Sequence, residues 1–443
     1  MSSGMIVRCK IHGKCKWLTF STGKGMVHKH RPALTRDDSD KHHGLSMQRR
    51  KCNRLRVLGY TPRYLPLSGG AEYGIYELYR RLAGEVEPIL LTPVHSLEGN
   101  DSADGYFLEN APFRTIRYKR FPVWLERWAA RNETVRKAVS ALGQISTALH
   151  VLFYTLALKP DVIHLNYLVS SYPSARLLKA LGIRRPLVLS LIGRPDVFSP
   201  SNEDYRRYRR TFDWMFRHVD AGIYQTPSVM GDAPRSERWL QIPYGVKTDE
   251  LRPHSSDAPR RSRWGTLSRL AANKRVDWVL KAFARVYDRH SEASLEILGT
   301  GPERNALEAL ADSLGIRNAV RFRGYVGEKD LDAALGQLDY FVFASESETF
   351  GIVLAQAMAA GLPIAVTDSS CLPEVVVDGE NGCVGANTPE GLAAAMLRLM
   401  ESPETADRIA RTNRLKAETV YDWNRIAGRY ACLFARLAGK EKT

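Results

Sequence analysis

Six cysteines in 443 residues (Cys9, Cys15, Cys52, Cys371, Cys383 and Cys432) are too few and too scattered for a disulfide framework. Their scarcity excludes a small stapled secreted scaffold and points to a reducing compartment, the cytoplasm. Long clean apolar runs are also missing. The most apolar stretch, Val139 to Leu158, contains Ser140, Gln144, Ser146, Thr147 and His150, so we expect a buried helix rather than a membrane span. No apolar leader core stands near the first residue, and no solenoid period recurs. Metal-ligand clusters are sparse. Cys9, His12 and Cys15, with His28 and His30 beyond, are only loosely spaced like ligands; a structural zinc site needs four ligands on its own folding unit, so no metal is expected. Acidic residues are short as well, 48 against 64 Lys and Arg, for a formal net charge of +16. Such a surplus fits nucleic acid or an anionic surface. However, no nucleic-acid-binding motif occurs, and half the surplus lies in residues 1–50, where 11 Lys or Arg face Asp37, Asp38 and Asp40. Nucleic acid is therefore not an expected partner.

What is present is an alternation of strand and helix patterns in both halves of a chain too long for one ordinary core. That pattern predicts two parallel sheets, each covered by helices. Residues 1–53 form a basic extension of low apolar content, for which disorder is expected; Met47 stands close before the first strand as an alternative start. A polar segment from Arg252 to Arg263, with Pro253, Ser255, Ser256 and Pro259, divides the remainder. The expected divisions are 54–252, 253–415 and a terminal helical segment, 416–443.

One stretch is especially informative. A strand pattern, Tyr340 to Ala344, runs into Ser345-Glu346-Ser347-Glu348-Thr349-Phe350-Gly351 and then into an apolar helix that stops at Gly361-Leu362-Pro363. A carboxylate thus sits in a strand-to-helix turn beside the unpaired amides of a helix N-terminus. Those amides and the helix dipole suit an anion, while the carboxylate can accept hydrogen bonds from hydroxyls. A ligand that is both anionic and polyhydroxylated, a sugar nucleotide, meets both demands.

This stretch resembles the motif of the family-4 retaining glycosyltransferases (glycosyl transferases group 1), which is Glu, seven residues, Glu around a Phe-Gly pair. Glu348 occupies the first position and Gln356 the second. The second residue holds the nucleotide ribose in the family, and a Gln can still donate to and accept from a diol. Trp264 to Leu270 followed by Lys274 resembles the family's Arg and Lys pair. The resemblance implies that Arg269 and Lys274 grip the diphosphate, whose charge grows as it departs. Gly299-Thr300-Gly301 resembles the turn that lies against the base. Ser68-Gly69-Gly70 resembles the N-terminal loop at the diphosphate and acceptor, where glycines allow close backbone approach. Phe350, Gly351 and Ile352 open the helix, and Glu374 reads as a helix-start residue. Three further positions depart from the family: Ile192 stands where many relatives have His, with Asp196 nearby as a polar substitute, and Tyr244 and Lys247 stand where most have Asn and Asp. His164, at a strand end, suits a core residue.

The resemblance implies a GT-B fold: α/β, two Rossmann-like doubly wound domains facing across a cleft, with the last helix crossing back to the N-terminal domain. It also implies retaining transfer from a UDP- or GDP-sugar to a glycan or lipid-linked acceptor, with no metal and no cofactor beyond that co-substrate. A non-catalytic sugar-nucleotide-binding protein, an epimerase and a phosphorylase of similar fold remain as alternatives. Between 114 and 137, eight cations face Glu126 and Glu133 and interleave with Phe121, Trp124 and Trp128. This reads as a basic amphipathic helix that could lie on an anionic membrane surface.

Overall fold

The computed structural model describes residues 5–11, 14–20, 54–64, 70–94, 111–121, 132–192, 205–231, 236–251 and 262–440. The chain divides into two compact units, Met1–Lys51 and Cys52–Thr443. In the first, β1 (Met5–Ile11) and β2 (Lys14–Phe20) pair antiparallel, with Met5 opposite Phe20. Composition alone predicts disorder there. The two runs themselves are rich in residues that favour strands, among them Ile6, Val7, Trp17 and Thr19, which local pairing can exploit. Met47 and His12 lie outside the described residues.

The second unit holds two all-parallel sheets. The first runs in the order β5-β4-β3-β6-β7-β8-β9. In chain order its elements are β3 (Arg56–Tyr60), α1 (Gly70–Glu85), β4 (Glu87–Pro93), β5 (Arg114–Tyr118), α2 (Glu133–Leu158), β6 (Val162–Asn166), α3 (Leu168–Ala180), β7 (Leu187–Ser190), α4 (Tyr205–His218), β8 (Ala221–Tyr224) and β9 (Trp239–Gln241). The second sheet runs β12-β11-β10-β13-β14-β15. Its elements are β10 (Arg263–Leu267), α5 (Val276–Tyr287), β11 (Ser294–Leu298), α6 (Arg304–Ser313), β12 (Val320–Gly324), α7 (Glu328–Leu335), β13 (Tyr340–Phe343), α8 (Ile352–Ala359), β14 (Ile364–Thr367), α9 (Leu372–Val375), β15 (Cys383–Gly385), α10 (Pro389–Met400) and α11 (Pro403–Lys416). A last helix, α12 (Trp423–Leu437), follows a short π-helical turn at Ala417–Tyr421. The strands β6, β7, β13 and β14, next to or near the middle of each sheet, are buried along their whole length, which is why they read as near-continuous apolar runs.

Strand order in each sheet reverses at one place, between β3 and β6 in the first and between β10 and β13 in the second. In open parallel sheets, ligands bind beyond the strand carboxyl ends at this switch point. The helix α12 packs its Trp423, Tyr430 and Phe434 face into the same core as Tyr79 and Leu82 of α1. His164 lies in this region, fully buried, its Nδ1 2.9 Å from the Tyr79 hydroxyl and its Nε2 2.8 Å from Ser190 Oγ. It is a core residue, with burial pushing its pKa down to about 3.

Two expectations for the β5 to α2 part of the first sheet and its helices are corrected, the first of them only where residues are described. The 114–137 segment does not begin as a helix: Arg114–Tyr118 is the edge strand β5, and Trp124 and Trp128 lie outside the described residues. The apolar run Val139 to Leu158 does form a helix, but not a buried one. Asn132 caps α2 by accepting from the Thr134 and Val135 amides, and Lys159 ends it in a left-handed conformation. Only Val139, Gly143, Ser146, Thr147, Ala148, Val151 and Thr155 are buried. Small residues line the inward side, and the large apolar ones at Leu142, Ile145, Leu149, Phe153 and Leu156 are 45–61% exposed. Mean apolarity does not say which way such a helix turns.

Candidate active site

The switch point of the second sheet is flanked by the loops that follow β10 and β13, and these carry the motif residues. After β10 the chain makes a short 3-10 turn, Ala272–Lys274, before Arg275 enters α5 with φ 46°. This loop is tied to the one after β11 by backbone bonds from Ser268 to Leu298 and from Leu270 to Thr300, at 3.0 and 2.9 Å. The ties require Gly299 and Gly301. A Cβ at Gly299, whose φ is 133°, would lie 1.9 Å from the Ser268 carbonyl oxygen, and one at Gly301 would lie 2.1 Å from that of Leu270. Both glycines therefore shape the loop that presents Arg269, and Arg269 itself is exposed with no ion pair to a described residue.

The loop after β13 is stitched to the first. Glu346 donates its amide to Asn273 O at 3.0 Å, and Arg275 pairs with Glu346 at 3.1 Å. At the centre, Lys274 Nζ contacts Glu348 Oε1 directly; both side chains are largely enclosed, at 19% and 16% exposure. Glu348 is held from behind. Its amide donates to Ser370 Oγ at 2.9 Å, and the same hydroxyl donates to its carbonyl at 3.0 Å. Phe350 is buried against Tyr244 and Tyr421, with ring centroids 6.0 and 5.3 Å away. That anchor fixes the chain just before Gly351, whose φ of 75° turns it into α8. The first-turn amides of α8, from Ile352 on, thus open next to the Lys274–Glu348 pair.

The first sheet closes over this helix end. Ile352 Cδ1 lies 3.5 Å from where a Cβ of Gly70 would stand. Thr226 donates its hydroxyl to Thr349 O at 2.7 Å. The carboxylate of Glu374 accepts the Ser228 amide at 3.0 and 3.2 Å. Glu374 is thus more than a helix-start residue: it bridges to the other sheet. Gly69 and Asp196, and Gly193 before it, lie outside the described residues.

Gln356 sits one turn into α8 and is buried. With Ile352 it lines a small open pocket, shared with Tyr73, Lys247, Glu328 and Trp423. Lys247 reaches Glu250 at 2.8 Å, Glu77 at 3.6 Å and Glu328 at 3.8 Å. Burial holds the Glu328 carboxyl above its ordinary range, opposed by the hydrogen bond from Tyr73 and the charge of Lys247. Of the residues expected to bind, Ile352 and Gln356 meet at this pocket, while Arg269, Lys274 and Glu348 gather at the switch point. Tyr73, Glu328, Thr226 and Ser370 escaped the sequence reading because no motif spacing marks them; Lys247 was visible only as a departure. No group of three or more His, Cys, Asp or Glu able to hold a metal occurs among the described residues.

Two family models match the chain: a "Glycosyl transferase 4-like domain" over residues 69–245 and "Glycosyl transferases group 1" over residues 249–416. Similar proteins include glycogen synthase of Mycobacterium tuberculosis, 28% identical over 281 residues (61% of this chain, 67% of the relative). A GDP-mannose-dependent alpha-(1-6)-phosphatidylinositol dimannoside mannosyltransferase of the same species is 30% identical over 197 residues, covering 42% of this chain and 50% of that one. Among solved structures, Anabaena HepE in complex with UDP and glucose matches with a TM-score of 0.65 at 19% identity, over 86% of this chain and all of that one. The architecture of two parallel sheets is thus the GT-B fold.

Proposed function

The chain belongs to the family-4 glycosyltransferases of group 1, and from that premise we propose that it transfers a sugar, with retention, from a UDP- or GDP-sugar to a glycan or lipid-linked acceptor in polysaccharide or glycolipid synthesis. It is a glycosyltransferase. The observation that carries the finer reading is the Lys274–Glu348 pair at the switch point, set beside the open end of α8. In this reading Arg269 and Lys274 bind the diphosphate together with the amides of Phe350, Gly351 and Ile352. Glu348 orients the sugar hydroxyls, and Gln356 holds the ribose. The loops at Gly69, Gly70 and Asp196 face the acceptor side, and the turn at Gly299 and Gly301 supports the base.

Chemically, the bond from the anomeric carbon to the β-phosphate oxygen breaks while a bond to the acceptor oxygen forms on the same face. The acceptor proton passes to the departing phosphate oxygen, so no protein nucleophile is needed. The cations favour this step because the diphosphate gains charge as it leaves. Two cations and a helix end supply that field, so we propose transfer without a divalent metal, in the cytoplasm, with peripheral contact to a membrane. Two relatives support the donor class by name: one protein uses GDP-mannose, and another was solved with UDP and glucose.

The test is a thermal-shift panel of UDP-, GDP-, ADP- and TDP-sugars, with and without EDTA. Stabilisation by one nucleotide, kept in EDTA and lost in Arg269→Ala, is the expected result. No shift with any of the four would overturn the donor assignment.

A further inference from the structure

The exposed side of α2 is unusual for a soluble surface. Leu142, Ile145, Leu149, Phe153 and Leu156 stand open at 45%, 55%, 54%, 61% and 56%. At 100° per residue they fall within an arc of about 80°, and they extend roughly 21 Å along the helix. Exposed Phe121, at 62%, lies alongside, its amide donating to Ser146 Oγ of the helix at 3.1 Å. Contiguous apolar exposure of this kind marks an interaction site.

The border of the stripe identifies the partner. No Asp or Glu occurs from Thr134 to Pro160 or from Ala111 to Phe121. Arg136 and Lys137 stand at the start of the helix and Lys159 at its end. Lys119 and Arg120 follow β5, the Arg120 guanidinium lying 3.0 Å from where a Cβ of Gly143, a buried position of the helix, would be. Glu133, in the first turn, is paired with Lys137 at 2.8 Å. A second copy of this face would bring like charges together, and a nucleic acid would leave the apolar stripe unused. A partner that is apolar inside and anionic at its surface satisfies both features.

We propose that α2 docks the enzyme on an anionic lipid bilayer, its apolar stripe set into the headgroup boundary and its basic rim on the lipid phosphates. The helix does not cross the membrane. Its inward side is committed to the fold, with Tyr118 donating to Thr147 at 2.9 Å and Val151 fully buried in the core. It therefore lies in the interface plane, as amphipathic helices do. Its N-terminus follows the carboxyl end of β5, at the same end of the parallel sheet that carries the Gly70 loop after β3. A bilayer resting on α2 thus reaches the end from which an acceptor would enter. This inference rests on the reading of a membrane-borne acceptor, and it replaces 114–137 with α2 as the docking element.

The experiment is vesicle flotation of the full chain with phosphatidylcholine alone and with added phosphatidylglycerol. The variant is Ile145→Ser, Leu149→Ser, Phe153→Ser, all at exposed positions, with circular dichroism to check its fold. Flotation with the anionic vesicles, falling at least tenfold in the folded triple variant and weakened by salt, is expected. Absent flotation, or a triple variant that floats like wild type, would overturn the proposal. So would a wild-type dimer, by light scattering, that the triple variant dissociates, since the stripe would then cover a second copy. The sugar-nucleotide thermal shift is recorded on the same samples: its persistence without flotation rejects the docking surface alone, and its absence rejects the donor site.

Discussion

Lys274 and Glu348, 74 residues apart in the chain, meet side chain to side chain where the loops after β10 and β13 converge. Neither loop places its charge alone. Asn273 O accepts the Glu346 amide, and Ser370 holds both backbone groups of Glu348. Without a donor, each charge neutralises the other. A bound diphosphate would draw Lys274 toward itself and leave the carboxylate to the sugar hydroxyls.

Lys274→Ala is therefore expected to lower kcat/KM by roughly a hundredfold or more, the scale for losing one preorganised charge at a reacting centre. Glu348→Gln should act chiefly on kcat. Steady-state kinetics of both single variants and of the double variant check this. The double variant should lose less than the product of the two single losses, because residues that act as a unit are not additive. Full multiplicativity would mean that the two side chains work separately.

Much of the fold was readable because buried parallel strands leave continuous apolar runs, as at Leu187 to Ser190 and Tyr340 to Phe343. The main site residues were readable because chemistry fixes their spacing around a strand-to-helix turn. The role of Gly299 and Gly301 was only half visible. Their sequence suggests a tight turn near a ligand, whereas the geometry shows each filling a contact with the backbone of the Arg269 loop. Contacts between the two sheets were not readable at all. The Glu374 bridge to Ser228 spans 146 residues, and no local pattern records it. The outward side of α2 was misjudged for a related reason: hydropathy sums a helix, while burial depends on which face meets the sheet.

His164 gives a pH dependence with a definite sign. Burial depresses its folded pKa to about 3, from 6.5. Between those values the unfolded chain binds the proton and the folded one does not, so stability falls as pH drops through that window and is full above it. At about 1.4 kcal/mol per unit, going from pH 7.5 to 4.5 should remove on the order of 2–3 kcal/mol. Urea unfolding at the two pH values measures this. His164→Asn should be less stable at pH 7.5, since it disturbs the bonds to Tyr79 and Ser190, but should lose this part of the acid slope. An unchanged slope would place the titration elsewhere.

The Gln at position 356 has an electrostatic reason that the motif alone conceals. Its pocket already holds Glu328, and Lys247, the one cation among its described lining residues, is shared between Glu250 and Glu328 and also reaches Glu77, which Arg80 and Arg81 already pair. Burial already raises the Glu328 pKa, and Glu77 and Glu250 raise it further. A glutamate at 356 would add one more carboxylate to a site short of positive charge, with its own folded pKa pushed up by the same burial and like charges. A carboxyl raised in the folded state opposes folding above its unfolded pKa, and the penalty fades as pH falls and it protonates. Gln356→Glu is thus expected to destabilise the apo-protein by about 1–2 kcal/mol at pH 7.5 and by clearly less at pH 5, read from urea midpoints. Donor binding is the second readout. If a glutamate there holds the ribose better, the stability deficit should shrink when the stabilising nucleotide sugar is added in excess. A variant that is equally stable at both pH values would mean that Lys247 has charge to spare, and the Gln would then need another explanation.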